Sequence, residues 1–326
     1  MSEMRGRAVL QRSWPIVLMV VLLFAAWRLF LKNLNWRILS TVSVGELCLI
    51  TGLTLIAFMV NGYHYYYLAG LEHCKLRKRD ILFLPLAMGL WGLLIPFQGA
   101  AAYQMWYFKR GYRITVCSSL AFSIFLYLFT VIFCGFVGVL YVVTHPGPTL
   151  IFGILSLVML LSPVYIFLAR IVLRKMEKRM PRFLLPLLQW FNQVVSLLTD
   201  LFSNPRLVLI FVGLFLLRLA LMILIYWRIA VVLGYPDIGV WQLMLINLWN
   251  FLSLLIKLTP QNLGVTQLIT GAIFAMLDLP PEQAVMMSLY FTVLATVMEL
   301  TLGVAAHFIL KASIPAEPPA PDAPSA

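Results

Sequence analysis

Leu94-Ile95-Pro96-Phe97-Gln98-Gly99 and Leu258-Thr259-Pro260-Gln261-Asn262-Leu263-Gly264 each interrupt an apolar segment at a proline, partway along what would otherwise be a membrane crossing. Lipid offers loose backbone no hydrogen bonds, so such breaks persist only where protein buries them or where they line a polar cavity. A pair of breaks in corresponding halves of a chain points to a central binding site. The segments around them are also short. Residues 81–95 supply 15 positions, about 22 Å of helix, and residues 265–277 supply 13, against the ~30 Å of hydrocarbon that a span must cross. Both are read as re-entrant hairpins that turn back at the proline.

The rest of the chain fits that setting. Of 326 residues, 62% are hydrophobic and only 11% charged, too little polar surface to cover a soluble globule. The expected fold is an all-α polytopic membrane protein. Full spans are read at 14–30, 45–71, 116–143, 149–169, 207–233 and 283–310, six in all, which with the two hairpins make about eight transmembrane segments by hydropathy. Residues 240–256 are borderline at 17 positions and carry Gln242, Asn247, Asn250 and Ser253. A single membrane domain over 14–311 is expected, between a cytoplasmic segment 1–13 and a disordered, Pro/Ala-rich cytoplasmic tail over 312–326. The run 14–30 contains Arg28 and lacks a small-residue cleavage site, so it reads as an uncleaved span and not a signal peptide. Cys48, Cys74, Cys117 and Cys134 have neither metal nor disulfide spacing and read as packing residues.

Charge tests the topology independently, because Lys and Arg gather in cytoplasmic loops. With the short segments taken as re-entrant, 18 basic residues fall on the cytoplasmic side, from Arg5 to Lys311, and only Lys32 and Arg37 on the outside. Both termini are then cytoplasmic. The first hairpin enters from the cytoplasm and the second from outside, so two units, residues 45–143 and 207–310, are expected to form an inverted repeat offset by about 164 positions, the usual build of alternating-access carriers. Between them, residues 183–203 place Gln189, Asn192, Gln193, Ser196, Thr199, Asp200 and Ser203 on one helical face. That pattern predicts an amphipathic helix lying at the cytoplasmic interface and joining the halves.

A charge inside a bilayer costs roughly 2.5–3.5 kcal/mol on insertion scales, so intramembrane ionisable residues point to function. Arg28 and Arg228 lie near helix ends and read as snorkelling cations. Arg218 and Glu299 each stand 11 residues from the cytoplasmic end of a span, about 16 Å deep, and are expected to pair. That leaves Lys257, at the second break, for an anion. The returning helices start near Pro96 and Pro260, so their positive N-terminal ends point into the membrane middle with Gln98, Gln261 and Asn262 beside them. The set Lys257, Gln261, Asn262, Gln98 and Arg218 suits a phosphate-like headgroup, although polar caps that merely stabilise helix ends fit the same positions. Glu299, Pro96, Pro260, Gly99 and Gly264 are expected to shape or couple the breaks. Tyr63 to Tyr67, Tyr103, Trp106 and Tyr107 read as an aromatic belt. The four histidines have no ligand spacing, and there is no phosphate loop, nucleophile elbow or HExxH pattern, so no catalytic residue, metal or cofactor is expected.

At the breaks the chain resembles the lysylphosphatidylglycerol synthase transmembrane-region family, a group of flippase-like membrane proteins. Leu258 to Gln267 is similar to that family's T-P-G-G-[LI]-G-V-R-E signature, with a Pro280-Pro281-Glu282 turn before the last span. Ile95 to Gly99, followed by Lys109-Arg110-Gly111, is similar to its I-P-x-R-x-G-E segment. Gln261 and Asn262 replace the signature's glycine pair, Thr266 and Gln267 its Arg and Glu, and Gln98 stands near the first motif's arginine. The resemblance implies the fold and a lipid-moving role in a bacterial cytoplasmic membrane, and the neutral positions imply an altered substrate or a lost activity. It implies no aminoacyl transfer.

Two functions remain in view. One is a carrier of an anionic lipid or lipid-linked headgroup between leaflets, with membrane lipids as partners and no nucleic acid. The other is a non-transporting accessory of an envelope lipid or polysaccharide pathway.

Overall fold

The computed structural model describes residues 42–95, 98–145, 150–177, 185–253, 259 and 262–314, and all of their regular structure is helical. Four helices are long and apolar enough to cross a membrane: α1 (Val44–Leu71), α4 (Val116–Thr144), α8 (Pro205–Val232) and α11 (Pro281–Lys311). Their starts are set by the sequence. Ser43 Oγ accepts from Glu46 N–H at 3.2 Å, Thr115 Oγ1 from Ser118 N–H at 3.1 Å, and Asn204 Oδ1 from Leu207 N–H at 3.1 Å, each using one of the donors that a first turn leaves unpaired. Pro205 and Pro281 occupy first-turn positions, where a missing N–H costs nothing.

Between these run shorter helices: α2 (Lys78–Leu94), α3 (Gly99–Tyr112), α5 (Leu150–Leu160), α6 (Ser162–Glu177), α7 (Leu185–Ser203), α9 (Val240–Ser253) and α10 (Val265–Met276). The straight span expected over 149–169 is instead a bent pair, α5 and α6 meeting at 53°. Pro163 explains the bend, since its ring cannot continue the helical hydrogen-bond ladder. With that pair counted once, the described residues hold up to five crossings by length and composition. The span expected over 14–30 and the tail from 315 lie outside them.

Helices α2 and α3 form an antiparallel hairpin, with the Trp91 and Tyr103 rings stacked 5.7 Å apart. Helices α9 and α10 form another, tied by Thr270 Oγ1 donating to Asn250 Oδ1 at 2.9 Å and by a 2.7 Å hydrogen bond between the Ser253 and Thr266 hydroxyls. Each hairpin packs against the other half of the molecule. Helix α2 lies on α11, where Arg77 Nη1 donates to the Ser313 carbonyl at 2.8 Å, and α9 lies on α4, where Cys134 Sγ donates to the Leu248 carbonyl at 3.5 Å. Helices α1 and α8 pack against each other and run antiparallel. Glu46, near the start of α1, forms an ion pair with Arg228 near the end of α8, while His64, late in α1, meets Phe211, early in α8, at 5.0 Å.

Aromatic rings fill the neighbouring contact between α4 and α8. Phe125, Phe129 and Phe133 of α4 meet Phe211 and Phe215 of α8 at centroid distances of 4.2–6.2 Å. Helix α7 is amphipathic over its described part, except that Thr199, expected on the polar face, is buried. It buries Leu188, Val194, Leu198 and Leu201, exposes Gln189, Gln193 and Asp200, and sets Phe202 4.7 Å from Phe125. Its apolar face is thus spent on α4, α6 and α8.

Two sequence expectations change here. Arg228 does not simply snorkel, because the Glu46 carboxylate lies within reach at the same end of the seam, and the Arg228 guanidinium also sits 5.4 Å over the Trp227 ring. Tyr103 and Tyr107 are buried in a stack with Trp91 and so are not boundary anchors, whereas Tyr63, Tyr66 and Tyr67 are exposed as a belt requires.

Candidate functional site

Two cavities lie between the hairpins and the long helices. The larger, about 210 Å³, is enclosed by α1, α2, α3, α4, α8 and α11, and by Thr259 and Asn262 from the break in the second hairpin. The smaller, about 140 Å³, is enclosed by α1, α8, α9, α10 and α11. Phe58, Arg218 and Glu299 border both, so one cation and one carboxylate stand where the two spaces adjoin.

Packing fixes Glu299, which is 6% exposed. A Cβ on Gly89 would fall onto the Glu299 carboxyl group, so only glycine at 89 lets α2 approach α11 this closely with the carboxylate between them. Arg218 is half-buried on the middle turns of α8. Both were singled out by their depth in apolar sequence, and the fold brings both to the same cavities. The two residues thus stand together at both cavities, as the charge pair expected between them requires.

Asn262 lines the larger cavity. It is 1% exposed, has a left-handed backbone with φ of 54°, and its Nδ2 donates to the Ser253 carbonyl, closing the break against the end of α9. Its Oδ1 has no hydrogen-bond partner among the described residues. Gly264 caps α10 at φ 87°, a conformation that side chains strain against, and its N–H donates to Gln267 Oε1 at 2.7 Å. Gly99 begins α3 in a place where a Cβ would meet the Trp91 carbonyl and the Ile95 side chain. Gln98 precedes it at φ 79°, exposed and outside the lining of both cavities. Lys257, Gln261, Pro96 and Pro260 lie outside the described residues.

The sequence reading passed over the buried amides. Gln104, 1% exposed on α3, accepts from Ser123 Oγ at 3.0 Å and donates to the Ser119 carbonyl at 3.3 Å. Gln267, fully buried on α10, donates to Ser288 Oγ at 3.5 Å and to Thr292 Oγ1 at 3.4 Å. Asn250 is a hub: its Oδ1 accepts from Thr270 Oγ1 at 2.9 Å and Ser288 Oγ at 3.0 Å, and its Nδ2 donates to Tyr226. Asn247, one turn earlier on the same helix, lines the smaller cavity with neither amide atom hydrogen-bonded among the described residues. The usable signal was the recurrence of Asn247 and Asn250 three positions apart in an apolar segment too short to span, which puts both on one face.

A model of the lysylphosphatidylglycerol synthase TM region matches residues 13–303. The chain belongs to that family. The comparisons with curated proteins and with solved structures yield no match. Family membership makes this a multi-pass membrane protein with a flippase-like, lipid-handling role, and the matched part is the transmembrane module. No group of three or more His, Cys, Asp or Glu that could hold a metal occurs among the described residues. Where the family signature carries a glutamate, Gln267 keeps the acceptor for the Gly264 N–H and adds an amide donor toward α11, so the cap survives the loss of charge.

Proposed function

We propose that this protein moves an anionic lipid, or a lipid-linked anionic headgroup, between the leaflets of a bacterial cytoplasmic membrane, with both chain ends in the cytoplasm. Arg218 carries the reading. It is a deep cation shared by two adjoining cavities, and it gives a phosphate a partner midway across, where an unpaired charge would otherwise be excluded. Lys257, Gln261 and Asn262 assist at the second break, Gln98, outside both cavities, only shapes the first by preceding α3, and Glu299 offsets the cation when no headgroup is bound. The acyl chains stay in lipid.

Movement comes from rocking of two inverted units, the first made of α1 to α4 and the second of α8 to α11. The antiparallel packing of α1 on α8 supports this arrangement, as does the exchange of hairpins, α2 onto α11 and α9 onto α4. The hairpins then enter from opposite leaflets as re-entrant elements.

Reconstitution into vesicles with fluorescent anionic lipids and a membrane-impermeant quencher tests the proposal. Wild-type protein is expected to expose inner-leaflet label to the quencher, with Arg218→Ala at least tenfold slower. No exchange across a panel of anionic lipids overturns it.

One observation favours a second reading, a non-transporting accessory of an envelope lipid or polysaccharide pathway: the Asn262 amide nitrogen is used to close the break and so does not face a ligand. Under that reading the triple change of Lys257, Gln261 and Asn262 to alanine leaves the cellular phenotype intact.

A further inference from the structure

The smaller cavity is chemically unlike a phosphate site. Around Arg218 and Glu299 it is walled by neutral groups, and their hydrogen bonds decide what can enter. Thr54 Oγ1 gives its proton to the Ile50 carbonyl at 2.7 Å and Thr292 Oγ1 gives its own to the Ser288 carbonyl at 2.7 Å, so Thr54 can offer the cavity only a lone pair. Asn250 uses both lone pairs of its Oδ1 and one of its two N–H donors on Thr270, Ser288 and Tyr226. Asn247 has more to offer: 1% exposed, it holds two N–H donors and a carbonyl acceptor against the cavity with no partner for either atom among the described residues. A buried amide left this way costs about 1–3 kcal/mol per unsatisfied group. One water needs only about 10–15 Å³, so the roughly 140 Å³ here leaves room for a group of several polar atoms.

A phosphate oxygen accepts and does not donate, and an ammonium donates and does not accept. Neither can satisfy Asn247 Nδ2, Asn247 Oδ1 and Thr54 Oγ1 together. A hydroxyl does both, and neighbouring hydroxyls match the paired donor and acceptor of a primary amide. The Phe58, Phe291 and Tyr226 rings add apolar faces for the carbon skeleton between them. We infer that the smaller cavity binds a polyhydroxylated portion of the headgroup, a sugar-like ring or a glycerol, on Asn247 and Thr54, while the phosphate next to it stays with Arg218. This rests on the anionic-lipid reading above and narrows it to phospholipids whose headgroup carries vicinal hydroxyls.

The test compares acyl-labelled phosphatidylinositol, phosphatidylglycerol and phosphatidic acid in the same vesicles, using wild type, Asn247→Leu and Thr54→Val. Wild type is expected to move at least one of the two hydroxylated lipids faster than phosphatidic acid. Preference for phosphatidylinositol alone identifies a ring, and preference for both identifies any vicinal diol. Each variant is expected to lower the ratio of hydroxylated lipid to phosphatidic acid at least tenfold for Asn247→Leu and threefold for Thr54→Val. The near-isosteric Thr54→Val keeps the test decisive should Asn247→Leu fail to fold.

A wild type that prefers phosphatidic acid, or variants that leave the ratio where it was, overturn the inference and leave the anionic-lipid reading standing. If wild type moves none of the three, transport fails, and the binding claim is judged by melting temperature in detergent. Phosphatidylinositol or phosphatidylglycerol must then stabilise wild type more than phosphatidic acid does, and must lose that advantage in Thr54→Val. Absence of that difference also overturns it.

Discussion

Gln104 and Gln267 hold matching places in the two hairpins: each projects from the returning helix to a serine on the long helix that follows, Ser123 in one half and Ser288 in the other. Both amides are buried, so each pair fastens a hairpin to its own half with a bond that water cannot replace. The offset between the two pairs is the same as that between the halves, about 164 positions.

Removing either amide deletes buried hydrogen bonds, those of Gln104 to Ser119 and Ser123 or those of Gln267 to Ser288 and Thr292. Gln104→Leu and Gln267→Leu are expected to lower stability by about 1–3 kcal/mol each. Gln267→Leu is the more damaging, because it also uncaps the Gly264 N–H. Thermal unfolding in detergent, followed by tryptophan fluorescence, measures both. Gln267→Glu, which keeps the cap acceptor, is expected to fall between wild type and the leucine variant.

Gly89→Ala puts a methyl group where the Glu299 carboxyl sits. Overpacking of this kind costs about 1–3 kcal/mol, and here it displaces a functional candidate as well. Lipid exchange is expected to fall at least fivefold in protein that still purifies as a single species. Gly52→Ala, at a site with nothing within 4 Å of the added carbon, is the control and should behave as wild type.

The Glu46–Arg228 pair ties α1 to α8 at one end of their seam, with the Glu46 side chain 27% and the Arg228 side chain 23% exposed. Pairs with this much water access contribute about 0.2–1 kcal/mol. Glu46→Arg and Arg228→Glu should each lower the melting temperature, and the double exchange should recover most of the loss. A double variant less stable than both singles would show that the pair does not join the halves.

Arg218 and Glu299 call for the same design with a different readout. If they act as a pair, Arg218→Glu and Glu299→Arg singly abolish exchange and together restore a measurable part of it. Failure of the double exchange to outperform either single assigns the two residues separate roles.

Much of the frame was legible in the sequence. Apolar length gave the four long helices, and Pro96 and Pro260 placed the two interruptions between paired short helices. Charge at depth singled out Arg218 and Glu299 because ionised groups are rare there, so each stands out without any knowledge of its neighbours. The neutral part of the site was hidden for the complementary reason. Gln104, Asn247 and Gln267 are of residue types common at any helix surface, and only folding reveals that their neighbours are apolar walls or matching hydroxyls. The bend at α5 and α6 had its signal in Pro163, but a hydropathy average over the segment smooths that residue away. Arg228 was misjudged because its partner Glu46 lies 182 positions earlier, and no local pattern reports a contact at that range.

The ring-filled interface of Phe125, Phe129, Phe133, Phe211 and Phe215 has a mechanical consequence. Tilted and edge-on phenyl groups attract without directional bonds, so sliding one set over the other breaks nothing and exchanges one set of near-equal contacts for another. The phenylalanine layer therefore behaves as a bearing between α4 and α8, while the Glu46–Arg228 pair tethers α1, and not α4, to the same helix.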